Sequence, residues 1–313
     1  MPDSSSPQPY RILSLDGGGA KGFYSLGVLH EIEGLVKRPL HEAFDLVFGT
    51  STGAIIAALI ATGHSVDEIH GLYKKHVVNI MAKKSATDKT AALNKLASEI
   101  FGGQKFDGVK TAVGIVTTKW IIERPMIFKG SVAQAHGRVG TFLPGFGVTI
   151  GDAVVASCSA YPFFERKTVT TAQGDKVELV DGGYCANNPT LYAIADAINA
   201  LGLAPKSLRV VSVGVGTYPP KRVPLFSLER VINSLPSVQL LQKTLEINTQ
   251  SMDQLRAILF KDVPTLRVSE AFSEPAMATD LFEHDLSKLN ILRQRGRETF
   301  AKHEATLTTM MTS

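Results

Sequence analysis

Residues 43–61 read AFDLVFGTSTGAIIAALIA. The apolar run 43–48 lies between Glu42 and Gly49 and is too short for a helix, which predicts a buried strand. From residue 52 to 61 small and aliphatic residues continue without a polar stripe, as in a helix packed on a sheet. The join is Gly49-Thr50-Ser51-Thr52-Gly53, the pattern of a sharp strand-to-helix turn that pushes a serine hydroxyl outward. Glycine stands on either side because a side chain at Gly49 or Gly53 would strike neighbouring backbone. The helix start adds N–H groups and a partial positive charge beside Ser51. The same five residues also suit an ordinary turn in which Ser51 only caps a helix.

Working outward, residues 11–15 alternate, are rich in aliphatics and meet Asp16-Gly17-Gly18-Gly19, so a short strand runs into a glycine loop. Leu26, Leu29, Ile32 and Val36 then mark one helical face. Strand, turn and helix thus occur twice within sixty residues, which predicts an α/β fold. Ser65 and Glu68 have the spacing of a capping box, ahead of a helical face formed by Val66, Ile69, Val77, Ile80 and Met81. Residues 83–88 read as an exposed loop and 91–100 as a helix. Strands are expected over 111–117, 125–128, 177–180 and 208–216, and a helix carries Leu191, Ile194, Ile198 and Leu201 on one face. Beyond Pro219-Pro220 the chain turns mainly helical, with no strong strand. With no repeat and no low-complexity linker, a single domain over 10–313 follows a flexible polar leader, 1–9.

The 313 residues are 44% hydrophobic, ample for a core, and the net charge of +4 is spread along the chain. That charge admits anionic partners without requiring them, and no basic block points to a nucleic acid polymer. The leader lacks a basic stretch followed by an apolar one, so no secretory signal is expected. The longest apolar helical run, 54–61, is far short of the roughly 20 residues a membrane span needs. Cys158 and Cys185 are the two cysteines, which excludes a disulfide framework or zinc cluster and suits the cytoplasm. Both read as free, buried thiols; each also lies near a motif, which leaves a place beside an active site open.

Gly17-Gly18-Gly19-Ala20-Lys21-Gly22 contains G-x-G-x-x-G between a strand and a helix, so a dinucleotide site competes for it. Asp16 would set a carboxylate beside the pyrophosphate, and the next strand carries no acid at its tip to hold a ribose. Such a loop can instead turn its N–H groups to one point and serve as an oxyanion hole. A serine nucleophile needs a base, usually histidine. None of the eight histidines stands in a glycine-framed loop at a strand end; the best of them, His284, lies in a polar, helical-looking stretch with the look of a surface residue. Asp181 does stand at a strand end, followed by Gly182-Gly183, although Asp-Gly-Gly is also a common turn.

Taken in order, Asp16-Gly17-Gly18-Gly19 with Lys21-Gly22, the Gly49 to Gly53 turn and Asp181-Gly182-Gly183 resemble the patatin-like phospholipase family. Ala156-Ser157-Cys158-Ser159-Ala160-Tyr161-Pro162, Asn187-Asn188-Pro189 and Val213-Gly214-Val215-Gly216-Thr217 resemble further blocks of it. The resemblance implies a three-layer α/β/α fold with a central, mainly parallel sheet and a helical C-terminal layer. It implies a calcium-independent Ser-Asp dyad without cofactor or metal: Ser51 as nucleophile, Asp181 as base, and the Gly17, Gly18 and Gly19 N–H groups as oxyanion hole. The substrate implied is a membrane glycerophospholipid, reached peripherally from the cytoplasm. The short architecture is similar to bacterial effectors switched on by a cyclic nucleotide in anti-phage defence. Plant storage patatins and constitutive bacterial lipases stay open beside that reading, as does an oligomer. Lys21 stands where arginine is frequent, and Thr50 and Thr52 flank the serine where smaller residues often follow.

Overall fold

A computed structural model of the chain describes residues 8–219 and 236–312. Most of the leader, and Pro220 of the expected break, lie outside the described residues. Among the described residues eight strands form one sheet: β1 (Tyr10–Leu15), β2 (Leu46–Thr50), β3 (Ala112–Lys119), β4 (Arg124–Lys129), β5 (Lys167–Thr170), β6 (Lys176–Asp181), β7 (Leu208–Val213) and β8 (Thr265–Val268). Their order is β5-β6-β3-β2-β1-β7-β8, with β4 also paired to β3. The run β3-β2-β1-β7-β8 is parallel, whereas β4, β6 and β5 join antiparallel.

Alternation along the central strands feeds two cores. Leu13, Leu15, Val47, Val113, Ile115, Val211 and Val213 face one side of the sheet. Ile12, Leu46, Phe48, Val116 and Val210 face the other. The first side is covered by α1 (Gly22–Val36), α2 (Thr52–Thr62), α3 (Ala86–Ile100) and α4 (Ile150–Ser157), the second by α5 (Thr190–Ala195), whose Ala193 and Ile194 are fully buried. α6 (Pro236–Leu259) packs against α5, and α7 (Leu286–Thr312) lies along α1. Helices on both faces of a mainly parallel sheet make the expected three layers. The chain carries the burial a parallel sheet demands: α2 is buried at every position from Thr52 to Ala61.

Local signals hold where their chemistry is complete. The Ser65 capping box is reciprocal, with the Ser65 N–H donating to Glu68 Oε2 at 2.8 Å and the Glu68 N–H to Ser65 Oγ at 3.3 Å. Four expectations need correction. Ala43 closes a short turn, Leu40–Ala43, and the strand starts at Leu46, after the Asp45 carboxylate has accepted the Arg11 N–H at 2.7 Å. Residues 86–88 are helix, not loop, because Ser85 caps α3 through the Asp88 N–H at 3.0 Å. The seventh strand stops at Val213, three residues short of Gly216. The C-terminal part does contain a strand: β8 extends the parallel sheet beside β7, which supplies the hydrogen-bonding edge that its short sequence lacks alone. β5, a four-residue antiparallel edge strand, was likewise not anticipated.

Candidate active site

Ser51 follows the last residue of β2 and caps α2 with φ 53° and ψ −121°, a conformation that costs a non-glycine residue about 1–3 kcal/mol. Packing holds it there. A Cβ on Gly49 would come within 2.3 Å of the Gly53 carbonyl oxygen, and one on Gly53 within 2.3 Å of the Leu15 carbonyl oxygen, so β1, β2 and α2 touch through bare backbone. The Ser51 N–H donates to Ser157 Oγ at 2.9 Å, and the Ser157 hydroxyl donates to the Val116 carbonyl at 2.6 Å. Ser157, at the end of α4, therefore ties the serine turn to β3.

Asp181 reaches the same point by strand register. β2 ends with Thr50 opposite Val116, and β6 ends with Asp181 opposite Thr117, the next residue of β3. β4 occupies the other side of β3 over these residues, so β2 and β6 meet end to end on one edge. The Asp181 N–H donates to the Ser159 carbonyl at 3.0 Å, and the Thr118 hydroxyl to the Asp181 carbonyl at 3.0 Å. The carboxylate is 2% exposed. Burial pushes it up to about 7, against the pull of the Gly183 N–H, which donates to Oδ1 at 2.7 Å, and of a hydrogen-bonding interaction with the Ser51 side chain.

The glycine loop divides in use. The Gly17 N–H is committed to the Asn187 carbonyl at 2.9 Å, so it points away from any oxyanion. Gly18 and Gly19 line the cleft with Ser51, and among the described residues their N–H groups make no loop or cap hydrogen bond. The Ala20 N–H donates to the Leu281 carbonyl at 3.0 Å and the Lys21 N–H to Gly18 at 3.2 Å. Those groups are the ones a dinucleotide pyrophosphate would take, and the loop has already spent them. Beneath the loop, the Asp16 carboxylate is buried and held in a fork by Arg267, whose Nη1 lies 2.9 Å from Oδ1 and whose Nη2 meets Oδ2. Lys21 is buried and pairs with Glu246 of α6 at 3.8 Å, while Gly22 opens α1 against Thr52. Gly182 packs on the Val116 carbonyl and Gly183 begins a short helical turn, Gly183–Ala186.

Ser51 and Asp181 open on one cleft, which Gly18, Gly19 and Asn187 also line. Its walls are mostly apolar, with Ile55, Val77, Ile80, Met81, Leu93, Phe163, Phe164, Leu281 and Phe282 among the lining residues. All eight histidines lie among the described residues, and none lines this cleft. His284 is exposed and precedes α7 rather than lying in it. Cys158 is buried but not remote, since it lines the cleft and its thiol, raised by burial, interacts with the Ser51 side chain. No group of three or more His, Cys, Asp or Glu among the described residues suits a metal ion. Three contributors escaped the sequence reading. Ser157 and Asn187 sit inside blocks singled out only for their resemblance, and Arg267 has no local signal at all.

A strained serine on a strand-to-helix turn, lining an apolar cleft together with a buried carboxylate, is the architecture of a serine hydrolase. The patatin-like phospholipase model matches residues 13–194. The chain belongs to that family and is a serine-dependent lipid acyl hydrolase. It is 65% identical over 297 residues to the cUMP-AMP-activated phospholipase of Escherichia coli, covering 95% of this chain and 92% of the relative. A cGAMP-activated phospholipase of Pseudomonas aeruginosa is 27% identical over 222 residues, covering 66% of this chain and 63% of that one. Among solved structures, VipD from Legionella pneumophila aligns at 13% identity and a TM-score of 0.48, over 95% of this chain and 66% of that one. Among the described residues no helix is long and apolar enough to cross a membrane.

Proposed function

We propose that Ser51 is the nucleophile, Asp181 its base, and the Gly18 and Gly19 N–H groups the oxyanion hole of an enzyme that cleaves acyl esters of membrane glycerophospholipids. One observation carries this reading: a serine held at φ 53° against a buried carboxylate, in a cleft whose lining is mostly apolar, as an acyl chain requires. Ser51 Oγ attacks the ester carbonyl carbon while its proton passes to Asp181, and the carbonyl electrons move onto the oxygen facing the glycine loop. Collapse breaks the bond to the lysolipid alkoxide, which takes the proton from Asp181. Water then gives a proton to Asp181 and attacks the acyl-Ser51 ester; collapse breaks the acyl–Oγ bond, releases the fatty acid and returns the proton from Asp181 to Ser51 Oγ. The overall change is ester plus water to acid plus alcohol. A carboxyl that titrates at about 7 can act in both directions at neutral pH, which an ordinary aspartate cannot.

Activation by a cyclic dinucleotide, in anti-phage defence at the cytoplasmic membrane surface, belongs to the same proposal. It is supported by the name of the 65% identical relative. The test incubates purified protein with mixed phospholipid vesicles, with and without a panel of cyclic dinucleotides, and identifies products by mass spectrometry. Free fatty acid and lysophospholipid should appear, rise with one activator and vanish in Ser51→Ala. Release that persists in a folded Ser51→Ala protein would sink the assignment, and full activity unaltered by every cyclic dinucleotide would remove the activator.

A further inference from the structure

β3 does not stop where β2 stops. It runs on from Val116, the partner of Thr50, to Lys119, and turns through Trp120-Ile121-Ile122-Glu123 into β4. The overhang leaves from the C-terminal edge of β1 and β2, the edge that carries the glycine loop and Ser51. Its tip is apolar and bare: Trp120 is 39% exposed, Ile121 77% and Ile122 54%. The Trp120 N–H donates to the Glu178 carbonyl at 3.0 Å, three residues before Asp181 on β6, so the tip stands roughly 10 Å along the strand from that carboxylate. The Trp120 ring packs at 5.7 Å on Tyr161, itself exposed. Tyr161 follows Ala160 and precedes Pro162-Phe163, and Ala160 and Phe163 both line the cleft. Apolar surface thus runs from the hairpin tip to the cleft wall.

The charges around the tip favour one kind of partner. Lys119 and Arg124 flank it, with Glu123 as the acid between them. The Arg166 guanidinium lies 5.5 Å from the Trp120 ring centroid and 5.3 Å from that of Tyr161, paired with Glu178 at 3.2 Å. Aromatic rings with polar edges, bare aliphatic side chains and flanking cations form the composition of a membrane interface. We infer that the 120–122 tip, with Tyr161, docks on an anionic phospholipid bilayer and presents the cleft to the lipid. This rests on the phospholipase reading, because a lipid ester must leave a bilayer to reach Ser51.

Trp120 is the one tryptophan of the chain, so its fluorescence reports this contact alone. Ser51→Ala protein, which keeps the vesicles intact, is mixed with vesicles of phosphatidylcholine and phosphatidylglycerol. Emission should shift to the blue and be quenched by brominated acyl chains. Ile121→Glu with Ile122→Glu should weaken partition roughly tenfold or more, since binding scales with the apolar area inserted. In the Ser51 background the same pair should leave cleavage of a soluble short-chain ester unchanged. Unquenched emission, or partition unaffected by the two glutamates, would overturn the inference. So would a concentration-dependent dimer that the glutamates abolish, with no vesicle binding, because the tip would then mate two copies. Inactivity of the unmodified protein on every ester, with each cyclic dinucleotide of the panel supplied, would instead count against the hydrolase reading and leave the binding result standing.

Discussion

Asp181→Asn is expected to stop catalysis and, at alkaline pH, to stabilise the fold. Burial lifts the carboxyl from 3.8 to about 7. At about 1.36 kcal/mol per pKa unit, keeping it ionised in the folded chain costs about 4 kcal/mol relative to the unfolded one. The sign follows from the raised value: stability is whole below the unfolded pKa, falls as pH rises from 3.8, and is reduced by the full amount above about 7. Asparagine carries no charge, and its Oδ1 can still accept the Gly183 N–H that now lies 2.7 Å from Asp181. The variant should therefore be more stable at pH 8 by about 2–4 kcal/mol, with the gain shrinking towards pH 4. For a chain of this length that is about 3–6 °C in Tm. Thermal unfolding at pH 8 and pH 5 measures it, with fatty acid release expected to fall by roughly 10²–10⁴. A variant no more stable than the parent at pH 8, or equally stabilised at both pH values, would refute the burial account; retained turnover would refute the role as base.

In the parent enzyme kcat/KM should fall about tenfold per pH unit below about 7 as Asp181 takes up its proton, and single alanine substitutions of the eight histidines, His284 included, should leave that limb in place. A histidine whose loss matches that of Asp181 would replace the dyad by a triad. Arg267→Met leaves the Asp16 carboxylate buried without its partner and should cost about 3–5 kcal/mol in urea unfolding; a cost near zero would mean the pair does not brace the loop. Ser157→Ala strips partners from the Ser51 N–H and the Val116 carbonyl, so a loss of about 1–3 kcal/mol is expected together with a lower kcat at little-changed KM. Undiminished kcat would show that the serine turn holds its shape without that tether.

Signals confined to a few consecutive residues were legible in the sequence. The Gly49 to Gly53 turn, the Ser65 capping box, the buried helix after Ser51 and the strand ending at Asp181 each show as a pattern within one short stretch of chain, because the residue types that make the turn, the cap or the buried face are themselves adjacent. The edges of elements were less legible, because Ser85 moves the start of α3 back to Ala86 by one hydrogen bond that composition does not advertise. β8 gave no periodic signal of its own, since a four-residue strand is made by the edge it joins.

The tertiary structure alone decided how the pieces meet. Thr50 and Asp181 lie 131 positions apart and become neighbours because β2 and β6 abut on consecutive residues of β3, a register that no local pattern encodes. The same holds for the loop: three adjacent glycines look alike in sequence, yet the Asn187 carbonyl claims the Gly17 N–H and leaves Gly18 and Gly19 facing the cleft. Arg267 reaches Asp16 across 251 positions. The sequence by itself determined which residues could perform the chemistry, because a bond-making side chain and its turn are local. Which of them face one another was set by strand register and packing, which are sums over contacts far apart in the chain.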